Sequence, residues 1–288
     1  MLIVNPVAGR GLTKYSLGAI VAELCSCGHH VTVYFSGAKM PDELVEQFAH
    51  NYDLIVCVGG DGTLSNVVTG LLRSANNIPI GYIPSGTAND ISTSLSIPKT
   101  PQDAVNTVIT GSPMDLDIGL FEEKYFTYIA AFGAFTSVSY TTPQNIKRSL
   151  GHFAYVLSGI AEVPTIKPHK LTVVYDGNTI SGDFIFGAVV NSTSVAGFLK
   201  LDPSRVDLSD GLFEIVLVRQ PVDPASFIDL LSSLATQSYD GDNFLLLHGS
   251  EVRFTFEEDV AWTVDGEDGG LHKEVHISNS HKAVRVIV

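Results

Sequence analysis

The chain has 288 residues, 45% apolar and 17% charged, enough for one large or two modest domains and too apolar for a disordered protein. Its 31 acids against 17 bases leave a net charge of −14, which excludes a nucleic-acid binder, since phosphate recognition needs a basic face, and makes contact with an anionic bilayer transient. No stretch reaches the roughly 20 apolar residues of a membrane-spanning helix, and the opening MLIVNPVAGRG lacks the basic start of a secretory signal, so a cytoplasmic protein is expected, with Cys25, Cys27 and Cys57 as reduced structural thiols.

The first third repeats one unit. MLIVN reads as a strand, PVAGRG as a turn and TKYSLGAIVAELCSCG as an amphipathic helix; HHVTVYFSG is the next strand, followed by a helix over PDELVEQFAHN. LIVCV, the turn GGDGT and the helix LSNVVTGLLRSA come third, then IPIGYIP, SGTAND and a short helix. Strands separated by helices predict an α/β domain over residues 1–118 with a doubly wound parallel sheet. The turns after its strands gather on one edge, where ligands bind, placing Asn5 to Gly11, Ser36, Gly59 to Thr63 and Pro84 to Asp90 around one crevice. From SPMDLDIG the texture changes. KLTVVYDGNTISGDFIFGAVVN is a hairpin through Asp176-Gly177, and GLFEIVLVRQ, EVRFTF, AWTVDGE, EVHIS and AVRVIV follow as further strands. Residues 119–288 are therefore expected to form an antiparallel β-sandwich domain, interrupted by helices around Gln144–Val163 and Pro224–Gln237. A ligand cleft between the domains is the default expectation.

GGDGT combines two chemistries. Consecutive glycines let the backbone turn its N–H groups toward a ligand, and the helix that follows offers its N-terminus to an anion. Asp61 conflicts with a phosphate unless a cation lies between them, and Mg²⁺ is commonly held by carboxylates together with substrate phosphates. The alternative is a tight turn with Asp61 as a helix cap. PSGTAND repeats the combination of glycine, hydroxyl, amide and carboxylate, with Asp90 open to the same alternative. NPVAGRG adds a third glycine turn, with Arg10 able to approach phosphate. In TVDGEDGG, Asp265 and Gly266 read as a hairpin turn, and Glu267 beside it is a candidate general base for phosphoryl transfer to an alcohol.

In order, NPVAGRG, GGDGT, PSGTAND, DGLFE at 210–214 and VDGE resemble the successive motifs of the diacylglycerol kinase catalytic-domain family, which includes sphingosine and ceramide kinases and bacterial lipid kinases. GGDGT alone is shared with NAD kinases; the ordered set, spanning almost the whole chain, is far more specific. The resemblance implies an ATP- and Mg²⁺-dependent lipid kinase with a lipid alcohol as acceptor, diacylglycerol or a related glycerolipid. It implies that Asn5, Gly9, Arg10, Ser36 and Thr87 contact the nucleotide, together with Gly59, Gly60, Asp61, Gly62, Thr63, Leu64, Ser65 and Asn66. Asp61, Asp90 and Asp210 would form the acidic network around the catalytic Mg²⁺, and Glu267 would be the base. A structural Mg²⁺ would take a carboxylate from Asp210 and backbone carbonyls from Asp207 and Leu212. The chain departs from the family at Ser65-Asn66, where Asn-Glu is usual, and at Ala8, where serine is common.

Lys147 and Arg148, ahead of an apolar run reaching Ile160, fit either a helix that meets the bilayer surface from the inner face or a packing helix with two solvated bases. The alternatives to a lipid kinase are an NAD kinase and a catalytically weak nucleotide-binding protein, the latter motivated by Ser65-Asn66. A homodimer is compatible with the sequence, which marks no interface by heptads or an apolar stripe. Trp262 is expected in the core.

Overall fold

The computed structural model describes residues 1–6, 17–37, 39–133, 167–195, 199–236, 239 and 243–288. Gly9 and Arg10, and the expected helix around 144–163 with Lys147 and Arg148, lie outside the described residues. The chain divides into two compact units, Met1–Ile118 with Ser280–Val288, and Gly119–Asn279.

In the first unit, β1 (Leu2–Val4), β2 (Val33–Phe35), β3 (Ile55–Gly59) and β4 (Ile80–Pro84) alternate with α1 (Leu17–Ser26), α2 (Pro41–Phe48), α3 (Asp61–Arg73), α4 (Asp90–Ser94) and α5 (Pro101–Thr110). The strands pair in parallel in the order β2-β1-β3-β4, with Ile3 opposite both Tyr34 and Cys57 and Val58 opposite Ile83. LIV, IVCVG and IGYIP are buried at every position, as strands covered on both faces must be. α1 packs with α5 and α2 with α3. Thr100 caps α5 by accepting from Asp103 N at 3.3 Å, ahead of Pro101 in the first helical position.

The second unit contains β6 (Lys124–Phe126), β7 (Ile129–Gly133), β8 (His169–Tyr175), β9 (Asn178–Val190), the short pair β10 (Ser194–Val195) and β11 (Leu199–Lys200), β12 (Phe213–Arg219), α6 (Pro224–Thr236), β13 (Phe244–Gly249) and β14 (Glu251–Val264). β5 (Pro113–Phe121) and β15 (Glu267–Ile287) belong to it in part. Pairing is antiparallel in the order β13-β12-β9-β7-β14-β15. β9 and β14 are long enough to pair with β8 over one stretch and with β7 over another. The antiparallel layers of the sandwich thus share strands. Phe126, Phe132, Phe184, Phe213 and Phe254 form the core with Trp262, whose ring lies 4.9 Å from that of Phe132 and 5.2 Å from that of Phe254.

Two expectations change. The four strands read from EVRFTF to AVRVIV are two, β14 and β15, joined as one hairpin. The exposed acids Glu257, Glu258 and Asp259 fall in a register shift between Thr255 and Val260, a bulge that leaves the strand intact. Ser280–Val288, assigned from sequence to the second domain, belong to the first unit. Val286 pairs in parallel with Ile80, Ser112 and Val288 exchange backbone hydrogen bonds at 3.0 and 3.1 Å, and the fully buried Asp117 accepts from Lys282 N at 2.6 Å.

Candidate functional site

β1, β3 and β4 lie side by side and point the same way, so the residues after each emerge at one edge. Asn5 N donates to Val58 O at 3.0 Å and Asn5 Nδ2 to Thr63 Oγ1 at 3.0 Å. Ser85 N donates to Gly59 O at 2.7 Å. The strand order reverses between β1 and β3, the crevice where open α/β sheets take their ligands. GGDGT and PSGTAND meet backbone to backbone there, since a Cβ on Gly86 would lie 2.6 Å from Gly60 Cα; within the first loop, a Cβ on Gly59 would lie 2.5 Å from Cβ of the Thr63 side chain. Asn89, left-handed at φ 54°, closes the second loop on itself, with Oδ1 accepting from Gly86 N and Nδ2 donating to Gly86 O, both at 3.0 Å.

Asp61 is not the cap of its helix. Gly60 holds that position and has no side chain to cap with. Asp61 Oδ1 instead accepts from Ile91 N at 3.3 Å, tying the first loop to the second. A Cβ on Gly62, in the first turn of α3, would meet nothing within 4 Å. The main-chain N–H groups at the start of this 13-residue helix are suited to an anion.

The second unit presents two acidic loops. Asp265 and Gly266, at φ 48° and 82°, make the two-residue turn between β14 and β15, with Val264 paired to Glu267 across it. Glu267 is exposed. The Asp265 carboxylate turns inward: Oδ2 accepts from Thr127 N at 2.7 Å and Thr127 Oγ1 at 2.8 Å, and Oδ1 from Tyr128 N at 3.1 Å and Ile129 N at 3.2 Å. In the loop before β12, Asp207 Oδ1 accepts from Ser209 N and Oγ at 3.0 Å, and Asp210 Oδ1 from Leu212 N at 2.8 Å. Glu214 follows, 3% exposed, and among the described residues its Oε2 has no hydrogen-bond partner. Burial, with the negative charges of Asp210 and Asp207 nearby, pushes its carboxyl up to about 8.

The first unit thus brings together Asn5, Gly59 to Thr63 and the loop ending at Asp90, which is buried. Thr87 is exposed and Ser36 half-buried, with the Ser36 hydroxyl 3.4 Å from Val4 O. Ser65 and Asn66 are half-buried early in α3, while the Leu64 side chain is packed in the core, so only its main chain can serve a ligand. Asp207, Asp210 and Leu212 share one loop of the second unit, and Glu267 stands on a separate hairpin. Sequence reasoning missed Glu214, Asn89 and the inward carboxylate of Asp265. Only Glu214 left a signal, as the one charge within the apolar run LFEIVLV. Among the described residues no group of three or more His, Cys, Asp or Glu side chains is disposed to hold a metal, so a cation at the 207–212 loop needs main-chain carbonyls and water as well.

Comparison with known proteins covers almost the whole chain. Residues 1–121 match the diacylglycerol kinase catalytic domain, and 131–288 match the YegS C-terminal NAD kinase beta sandwich-like domain. A diacylglycerol kinase of Bacillus subtilis (strain 168) is 30% identical, aligned over 96% of this chain and 94% of its own. One of Staphylococcus aureus (strain NCTC 8325 / PS 47) is 32% identical over 96% and 90%. The crystal structure of a diacylglycerol kinase from Bacillus anthracis str. Sterne superposes with a TM-score of 0.83 at 23% identity, covering 99% of this chain and 95% of that one, a likeness that carries the fold. An α/β unit with glycine loops at the strand ends, followed by an antiparallel sandwich, is the architecture of a class of lipid kinases. The chain belongs to the diacylglycerol kinase catalytic-domain family.

Proposed function

We propose that the protein is an ATP- and Mg²⁺-dependent lipid kinase that moves the γ-phosphoryl group of ATP to a lipid hydroxyl, with diacylglycerol, named for its relatives, as the first candidate acceptor. The observation that carries this reading is the meeting of GGDGT and PSGTAND at the switch point, where Gly60 and Gly86 allow no side chain between them. Main-chain donors after β3 and at the start of α3 suit the phosphates, with Asn5, Ser36 and Thr87 bordering the nucleotide. Bound Mg²⁺ supplies charge neutralisation at the transferring phosphoryl group. Asp61, Asp90 and Asp210 are the carboxylates suited to it, and the 207–212 loop, with the buried Glu214 carboxyl close to Asp210 and Asp207, is the acidic stretch suited to a structural Mg²⁺. Glu267 accepts the proton of the lipid hydroxyl as the O–P bond forms. The lipid is met at the inner face of the membrane by a peripheral cytoplasmic enzyme; no helix among the described residues is long and apolar enough to cross a bilayer.

The test is transfer of label from γ-labelled ATP, with Mg²⁺, to diacylglycerol, phosphatidylglycerol, a sphingoid base and undecaprenol in mixed micelles, with NAD as a parallel acceptor. Label on a lipid supports the proposal and names the acceptor. Label on NAD alone makes the protein an NAD kinase. ATP binding with no labelled product makes it a nucleotide-binding protein, with Ser65-Asn66 as the first suspects.

A further inference from the structure

The hairpin that carries Glu267 is fastened by a contact that its turn does not require. Asp and Gly at the two central positions satisfy a turn with positive φ at both residues, and Asn would satisfy it equally. Yet the Asp265 carboxylate, 9% exposed, is directed away from the turn and into three consecutive backbone N–H groups and a hydroxyl of Thr127–Ile129. Successive N–H groups of this kind form a socket for an anion, and ionised acceptors make the stronger hydrogen bonds. The clamp works in both directions, since Asp265 N donates to Ile129 O at 2.9 Å. Thr127, 2% exposed, connects β6 to β7, and β7 pairs with β14 as far as Val264 opposite Ala130. The tip of the hairpin is therefore fixed two residues from Glu267.

We propose that Asp265 is the positioning residue for Glu267, holding the exposed base in a defined place through the Thr127–Ile129 socket; this rests on Glu267 being the base. The second unit supplies its own control. Asp176, in the other Asp-Gly hairpin, accepts from Ser250 N at 3.0 Å, Ser250 Oγ at 3.1 Å and Glu251 N at 3.1 Å, the same device on a hairpin that carries no reacting group. The experiment measures kcat, KM for ATP and melting temperature in the lipid-phosphorylation assay for D265N, D176N, E267Q, the double variant D265N/E267Q, and T127V with T127S. D265N is expected to lower kcat by about 10²-fold, the scale of a small misplacement of a reacting group, with KM for ATP unchanged. D176N keeps kcat whatever it does to melting. D265N/E267Q is no slower than E267Q alone, because a base already removed cannot be misplaced. T127V lowers kcat by a smaller factor and T127S restores it, a comparison that decides the matter if D265N does not fold. Wild-type kcat in folded D265N or in T127V overturns the proposal, as does a double variant slower than E267Q by the full D265N factor. Wild-type kcat in E267Q overturns the underlying assignment of the base instead.

Discussion

The glycine loops of the first unit and the acidic loops of the second handle polar groups in opposite ways. In the first unit the side chains at the strand ends bond one another, their own loop or the neighbouring loop: Asn5 to Thr63, Asn89 to Gly86, Asp61 to Ile91. The result is a rigid edge of main-chain donors. In the second unit the carboxylates are divided, with Asp265 accepting four hydrogen bonds, Glu214 buried, one oxygen without a partner among the described residues, and Glu267 exposed. On the proposed function, the difference teaches that holding a nucleotide would rest on preorganised main-chain donors, and proton transfer on carboxylates whose environments differ.

Removing the proposed base breaks the comparison most sharply. Glu267→Gln is expected to lower lipid phosphorylation by about 10²–10⁴-fold, the usual contribution of a general base, while KM for ATP stays as it was; steady-state kinetics with labelled ATP checks both. Next comes Glu214. Its folded pKa of about 8 exceeds the ordinary 4.5, so its protonated form favours the folded state. That contribution is complete below 4.5 and is lost as pH rises to about 8. Glu214→Gln cannot ionise, so in chelator it is expected to be the more stable protein at alkaline pH, by on the order of a few kcal/mol. The gap closes as the pH falls toward 4.5, and denaturant melts across pH measure it.

In the first unit, Gly86→Ala places a Cβ 2.6 Å from Gly60 Cα and is expected to cost about 1–3 kcal/mol of stability through overpacking, with weaker ATP binding and no change in the pH dependence of melting. The smallest effect sharpens the same contrast. The Ser85 hydroxyl is buried in the second glycine loop and has no partner among the described residues, so Ser85→Ala is expected to leave stability within about 1 kcal/mol of wild type or to raise it.

Much of the first unit is legible in the sequence because LIV, IVCVG and IGYIP are short apolar runs stopped by glycine or proline turns, which leaves a buried parallel strand as the economical reading. The loops after them, and therefore Asn5, GGDGT and PSGTAND, come with the topology. The Asp176-Gly177 hairpin was equally plain. What escaped depends on partners distant in the chain. Nothing in AVRVIV says that Val286 will lie beside Ile80, and the acids at 257–259 look like the end of a strand although the pairing resumes at Val260. VDGE has the same letters whether Asp265 faces solvent or the backbone of Thr127 to Ile129. Glu214 shares its strand face with Val216 and Val218, so the run hints at a strand covered on both faces, and the structure shows the carboxyl buried there.

The central claim is that the first unit's glycine loops hold the nucleotide while Glu267 acts only in the transfer. Calorimetric titration of a non-hydrolysable ATP analogue with Mg²⁺ into wild type, Gly86→Ala and Glu267→Gln tests it most directly. Wild-type affinity in Glu267→Gln with weakened or absent binding in Gly86→Ala is the predicted result; full affinity in folded Gly86→Ala, or loss of binding in Glu267→Gln, would contradict it.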